Sequence, residues 1–351
     1  MDMFILIVND KRQNNFSHWN SCNPMILKQH YLLLGFLLAL TSIAVLFSLL
    51  SGSAELSLNQ IFLHFLSPQN GLTNQILNEI RIPRTLAGFT VGSLLAMSGV
   101  AMQVLLRNPL ADPYILGVSG GAAVGALSAI LLGASSFLLV NAAFAGAIVS
   151  TLIVFGISNQ FGNWSVIRLL LTGVVVSAGW GALLNLLLTT SPSSTVRSML
   201  FWLMGDLSQS RVYLGHFLLI TLGLVGGLKI SRSLNVLSRG ELISLSLGIN
   251  LNLLRLILYF SASLFTAVAV TIAGSVGFVG LVTPHMLRML GARDHRVLIP
   301  ASALLGGSFV IIADSLARTV IAPQQLPVGV LTAIIGVPSF LIILHGSSTK
   351  R

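Results

Sequence analysis

The sequence predicts an all-α membrane protein, a polytopic bundle of about ten transmembrane helices, and three observations carry this. Of 351 residues, 54% are hydrophobic and only 8% charged, whereas a soluble domain carries about 25% charged residues because its surface faces water. The stretch from Pro113 to Ile167 contains no Asp, Glu, Lys or Arg. About 20 apolar residues cross the hydrocarbon core once, so that stretch alone holds two crossings. The apolar residues also come in long continuous runs rather than in alternation, which selects helices over a closed barrel as the way to satisfy backbone hydrogen bonds in lipid.

Read in order, the runs give spans at Tyr31–Leu50, Thr85–Leu106, Tyr114–Leu132, Leu139–Ile157, Val166–Leu188, Val212–Leu228, Leu253–Ala273, Phe278–Leu290, Leu298–Leu316 and Val328–Leu344. The eighth is short and rich in Gly and Pro, the mark of a half-helix. This organises the chain as an N-terminal tail (1–30), a ten-helix domain (31–345) containing a polar-flanked loop at 231–252, and a short C-terminal tail (346–351). Met25, with Lys28 ahead of an apolar run, is an alternative expected start. Ten spans put both ends on one side. That side then collects fourteen of the 19 basic residues, and the other keeps Arg81, Arg84, Arg197, Arg211 and Arg318. Cytoplasmic loops retain positive charge, so both termini are expected in the cytoplasm.

The net charge of +10 therefore records topology. The basic residues stand singly between apolar runs, without the clustered face that nucleic acid requires. Cys22 is the single cysteine and can form neither an internal disulfide nor a thiolate metal site. Small residues recur every fourth position in Gly88/Gly92/Ala96, Gly117/Gly121/Gly125 and Gly173/Ser177/Gly181, stripes that let helices approach closely.

Several constellations bear on chemistry. Asp112 followed by Pro113 reads as an N-cap with proline at the first helical position. Gly117-Val118-Ser119-Gly120-Gly121 fits a serine-nucleophile pattern with His285 as a conceivable base, but a nucleophile elbow needs a preceding strand. His285, His295 and Asp294 fall short of the three or four convergent ligands of a zinc site. Asp314 is the one carboxylate inside a span, and Arg318 four residues on is placed to neutralise it, which leaves little for an ion-coupled secondary transporter or channel, the alternative function. The chain has no Gly-Lys pair and hence no phosphate-binding loop. Energy must therefore come from a partner or an ion gradient, and the chain is read as no enzyme, with no cofactor or metal of its own.

Four ordered blocks carry a resemblance: Arg81-Ile82-Pro83-Arg84-Thr85-Leu86-Ala87, Arg107-Asn108-Pro109-Leu110-Ala111-Asp112-Pro113, Leu116 to Ala122, and Gly277-Phe278-Val279-Gly280-Leu281-Val282-Thr283-Pro284-His285. Trp202-Leu203-Met204-Gly205, Gly240-Glu241 with Leu247-Gly248, Asp294-His295-Arg296 and Leu326-Pro327-Val328-Gly329 extend it across Tyr31 to Leu344. Together they resemble the FecCD-type permeases, the membrane subunits of type II ABC importers for iron–siderophores, haem and vitamin B12 (cobalamin). Gln325 stands where relatives usually carry Glu, Ser244 replaces a usual Ala, and the N-terminal tail is longer than typical.

The resemblance implies a homodimer in a bacterial inner membrane, with two ATP-binding subunits docked on 231–252 that use ATP and Mg, and a periplasmic or surface binding protein delivering an iron(III)-siderophore or related metal chelate. It implies ATPase coupling through Arg239, Gly240, Glu241 and Gly248, and a cytoplasmic gate bordered by Asn108 and Leu110. Arg81, Arg84 and Arg318, which break the positive-inside trend, are expected to receive acidic residues of the binding protein, because guanidinium forks hold carboxylates bidentately.

The topology has a direct test. Single cysteines introduced near Lys11, Asp294 and Lys350 are expected to resist an impermeant thiol reagent applied from outside, and one at Ser193 to react. Labelling at Asp294 from outside would overturn the ten-span arrangement.

Overall fold

The computed structural model describes residues 24–52, 54, 56–66, 71–159, 165–208 and 210–348; Lys11, Arg12, Cys22, Lys350 and Arg351 lie outside them. Its helices are α1 (Pro24–Leu50), α2 (Leu58–Leu66), α3 (Ile82–Leu105), α4 (Val118–Leu131), α5 (Ser136–Ser158), α6 (Val166–Thr190), α7 (Ser193–Met204), α8 (Leu214–Leu237), α9 (Glu241–Ser246), α10 (Leu251–Ala273), α11 (Val279–Met289), α12 (His295–Thr319) and α13 (Val328–Ser348). Among the described residues, seven helical segments are long and apolar enough to cross a membrane. The remaining three expected spans correspond to α4, α11 and the 21-residue α13.

Helix α3 is the axis of the fold. It continues a short helical turn (Leu72–Gln75) and a π-helical turn (Ile76–Arg81) into one rod, Leu72–Leu105, with 89% of its apolar stretch buried inside the chain, against 11% for α6 and for α8. The rod packs on α12, α10 and α11, while α4 pairs with α5 and α1 lies along α12. Lipid supplies no hydrophobic drive between helices, so small residues and hydrogen bonds hold these contacts. A Cβ on Gly92 would collide with the Gly306 carbonyl, and one on Gly99 with the Gly280 carbonyl. Ser93 Oγ donates to the Ala303 carbonyl at 2.9 Å, and Ser98 Oγ to the Ala262 carbonyl at 2.8 Å. The second stripe works likewise: a Cβ at Gly121 or Gly125 would enter the backbone of α5. In the third stripe Gly173 meets the Ile115 carbonyl, but Gly181 faces open space within this chain, so the stripe reaches only partway along α6.

Two boundaries differ from expectation, and a third element matches it. The third span does not start as an α-helix: Pro113–Leu116 forms one 3-10 turn, Gly117 turns left-handed at φ 72°, and α4 restarts at Val118. The sixth extends to Leu237, because Lys229 and Arg232 sit on its exposed face and do not end it. The eighth is the expected half-helix. An extended segment leads from Gly274 to Phe278, itself left-handed at φ 68°, so the 11-residue α11 begins inside the bundle. Such irregular backbone is tolerated at membrane depth only when buried in protein. Here Gln103 Nε2 donates to the Leu281 carbonyl at 3.2 Å, and Tyr114 Oη both donates to the Val276 carbonyl at 3.0 Å and accepts from its N–H at 3.1 Å.

The crossing at Gly92 should be intolerant of size. Gly92→Leu is expected to cost about 1–3 kcal/mol or more through overpacking, read as a lower melting temperature in detergent. Gly181→Ala, which enters open space, should melt like the parent. Equal melting of the two variants would contradict the close approach.

Candidate functional site: a coupling helix, a gate turn and an arginine cluster

The basic end of the bundle carries α9. Gly240 enters it at φ 131°, a backbone that side-chain-bearing residues rarely adopt, and Gly248 leaves it at φ 75°. Two backbone bonds, Gly248 N–H to the Leu245 carbonyl and Ile249 N–H to the Ser244 carbonyl, close a Schellman cap. Asn250 then caps α10 through the Leu253 N–H at 3.1 Å. Ser244 turns inward and bonds the Gly240 carbonyl, while Leu242, Ile243, Leu245 and Leu247 point away from the chain, Leu242 being 84% exposed. A loop with four outward apolar side chains is the signature of a surface that another protein covers.

Glu241 opens this helix and accepts two guanidiniums, Arg107 at 2.9 Å and Arg255 of α10. Arg107 lies at the end of α3 in a left-handed conformation (φ 49°), and Asn108 N–H reaches back to the Gln103 carbonyl, a second Schellman cap. The expected gate residues follow at once. Asn108 is exposed, and its Oδ1 accepts the Leu110 N–H at 2.9 Å, folding the turn on itself. Asp112 ends the turn as expected, accepting the Tyr114 N–H at 2.7 Å. Burial pushes its carboxyl up to about 6, against the pull of that hydrogen bond. So Gly240, Glu241 and Gly248, the expected coupling residues, and Asn108 and Leu110, the expected gate residues, lie in one assembly joined by an ion pair that sequence reasoning missed. Arg239 immediately precedes it, exposed.

The far end holds Arg81, Arg84 and Arg318, and their guanidiniums turn inward. Arg84 grips Asp314 with Nε at 2.9–3.0 Å and Nη2 at 2.8 Å, and its Nη1 donates to Gln325 Oε1 at 3.0 Å. Arg318 Nε meets Asp314 at 3.2 Å, the expected helical pair, and its Nη2 donates to Ser48 Oγ at 3.0 Å. Arg81 donates to the Leu49, Leu50 and Ala54 carbonyls. Two of the three therefore satisfy the orphan carbonyls at the end of α1, where the helix dipole also favours a cation. With Arg81 3% and Arg84 5% exposed, these side chains do not stand open to a partner, which corrects the expectation for them: burial made the internal carboxylate and carbonyls the better acceptors. The exposed arginines at this end are Arg197, on α7, and Arg211.

Two discounted readings find no support. Ser119 Oγ donates to Ser275 Oγ at 3.4 Å, and among the described residues no hydrogen bond joins Ser119 to His285. Among the described residues no group of three or more His, Cys, Asp or Glu could hold a metal ion.

The model of the FecCD transport family matches residues 40–346. A cobalamin import system permease protein of Halobacterium salinarum is 43% identical over 278 residues, 78% of this chain and 74% of that protein. The vitamin B12 import system permease protein BtuC of Shigella boydii is 39% identical over 310 residues, 86% and 91% of the two chains. Among solved structures, an inward-facing metal-chelate type ABC transporter superposes with a TM-score of 0.79 at 32% identity, covering 89% of this chain and 98% of that one. PsaBC from Streptococcus pneumoniae, at a TM-score of 0.54 and 19% identity, shares the fold. With a family model matching residues 40–346 and a relative 39% identical over 86% of its length, the chain belongs to the FecCD transport family of ABC importer permeases.

Proposed function

We propose that the chain pairs with a second copy and passes a metal chelate from a binding protein to the cytoplasm, driven by two ATP-binding subunits on its basic, cytoplasmic end. The observation that carries this reading is the Glu241 junction: an apolar helix suited to a partner, bonded through Arg107 to the turn that holds Asn108 and Leu110. Movement imposed on α9 then reaches the gate turn without crossing the bundle. Energy enters from outside because the sequence has no phosphate-binding loop. An ion-gradient mechanism is disfavoured because Asp314, the carboxylate within α12, is held by two guanidiniums.

The pathway would lie between two copies, along faces such as that of α6, where Asn185, Thr189 and Thr190 are exposed on the last two turns of a largely apolar helix. For the cargo, cobalamin is the first chelate to test, since two similar relatives carry that name; ferric siderophore and haem are the alternatives. A bacterial inner membrane is supported by the import permeases the chain is similar to, and the charge asymmetry supports placing both termini in the cytoplasm.

Uptake of labelled cobalamin, a ferric siderophore and haem by cells expressing the permease with its ATPase and binding protein tests the cargo. Uptake of none would reject the importer reading. Leu242→Asp is expected to weaken ATPase copurification by about 2 kcal/mol, some thirtyfold. Glu241→Arg, which gathers three guanidiniums, and Gly240→Leu are expected to stop uptake while membrane insertion persists. Normal uptake by all three would remove α9 from the mechanism.

At the far end, Arg197→Glu should weaken binding-protein docking roughly tenfold without lowering the melting temperature. Arg84→Ala should instead cost about 3 kcal/mol of stability, because it strips a buried carboxylate of one partner. A reversed pattern, with Arg84→Ala stable and docking lost, would return Arg84 to the interface.

A further inference from the structure

The block Asp294-His295-Arg296, to which the coupling scheme assigns no task, meets the end of α8 in one junction. Asn235, in the last turn of α8, donates from Nδ2 to Asp294 Oδ1 at 2.8 Å. Its amide is thereby oriented with Oδ1 as the acceptor. That oxygen receives the His295 N–H at 3.0 Å and the His295 ring Nδ1 at 2.6 Å. One side chain thus serves three groups of another helix, and His295 is buried, so water does not compete for these bonds. Partial burial acts to raise the Asp294 pKa, but the Asn235 amide, the Arg296 N–H and the neighbouring Arg296 and His295 hold it below the ordinary carboxylate range. The bond from Asn235 therefore goes to a charged acceptor, the stronger kind.

A helix cap needs no help from a second helix, since Asp294 already accepts the Arg296 N–H at 2.9 Å. What Asn235 adds is a tie between α12 and the helix that leads into α9. The chain from Asn235 to Gly240 has no slack. Ser238, Arg239 and Gly240 donate their N–H groups back to the Leu234, Val236 and Leu237 carbonyls at 2.9–3.1 Å, and Ser238 Oγ bonds the Leu234 carbonyl at 2.8 Å. So α9 is held at its entry by α12 as well as through Glu241 by α10.

Helix α12 then runs the width of the bundle, its 25 residues spanning about 37 Å at 1.5 Å each. Near its other end it carries Asp314 and Arg318 of the far cluster, and midway Gly306 meets Gly92 of α3 with no room for a Cβ. A helix packed that closely shifts as a body rather than bending side chain by side chain.

We propose that Asn235 is a positioning residue for coupling: it makes α12 follow the entry of α9, and so carries displacement of the coupling helix toward the far end of the bundle. This rests on the importer reading above. The Glu241–Arg107 pair serves the turn at the near end, and the Asn235 junction serves the face where a binding protein would dock.

Two measurements test the junction, the first without transport. In full-length permease in nanodiscs, carrying Cys22→Ser, nitroxides attached through Ser246→Cys beyond α9's first turn and Arg293→Cys beside α12 report the separation of the two elements. The parent should give one narrow distance. Asn235→Ala, which removes the tie, and Asn235→Asp, which sets a second carboxylate against Asp294, should broaden it. In the complex with ATPase and binding protein, both variants should lower uptake per ATP hydrolysed about tenfold, the weight of one hydrogen bond to a charged group. Adding Asp294→Ser to Asn235→Asp supplies a hydroxyl that donates to the new carboxylate and still accepts the Arg296 N–H. It should narrow the distance again and recover uptake per ATP. The proposal is overturned if neither variant broadens the distance, if uptake falls only in step with the melting temperature, or if Asp294→Ser recovers nothing. A parent complex that takes up no chelate would reject the importer reading instead, and the nitroxide distances would still decide whether Asn235 ties α9 to α12.

Discussion

Everything in this structure hangs on how closely three helices approach α3. Lipid gives apolar side chains no reason to leave it, so helices hold together through backbone contact at glycine and through hydroxyl-to-carbonyl bonds. Gly92 against Gly306 and Gly99 against Gly280 fix α12 and α11 on the rod. The non-helical segment from Gly274 to Phe278 leads into α11 at this pinned position. The turn at Arg107–Asp112, the proposed gate, begins where the same rod ends, so the packing that makes the fold also positions that turn.

The charged groups divide by depth in a way that follows from their solvation. At the far end the cluster around Asp314 is dry, and each charge there is matched by another charge, an amide, a hydroxyl or a helix-terminal carbonyl. Such a cluster contributes less to net stability than its Coulomb attraction suggests, since desolvation offsets most of it. What it supplies is register: α1, α3, α12 and the segment bearing Gln325 meet in one arrangement. At the basic end the charges stay partly in water, where they remain available to partners.

Much of this was legible in the sequence because it depends on composition or short spacing. Runs of apolar residues gave the helical membrane fold. The Gly/Pro-rich eighth run announced α11, Asp112 with Pro113 announced the cap, and Asp314 with Arg318 announced a pair one turn apart. What stayed hidden depends on residues distant in the chain. Arg84 and Asp314 are 230 positions apart, and nothing local says that a guanidinium at a span end will fold inward to a carboxylate rather than outward to water. Glu241 was singled out for its loop, yet its link to Arg107 arises only when the ends of α3 and α8 meet. Gly181 failed for the same reason: a stripe shows that a helix can be approached, not how far along its length a neighbour lies.

The two bonds made by Glu241 differ in strength, and that difference has a mechanical meaning. The Arg255 side chain is 10% exposed and the Arg107 side chain 44%. A pair as wet as the second is worth less than about 1 kcal/mol and weakens as salt rises, whereas the first is shielded. Helix α9 is thus bolted to α10 and merely latched to the turn at Arg107–Asp112. In the proposed mechanism such a joint would act as a clutch: a modest push on α9 would carry the turn with it, and a larger one would slip the latch before straining the bundle. Thermal energy is comparable to the latch, so the turn can sample release while α9 holds its seat.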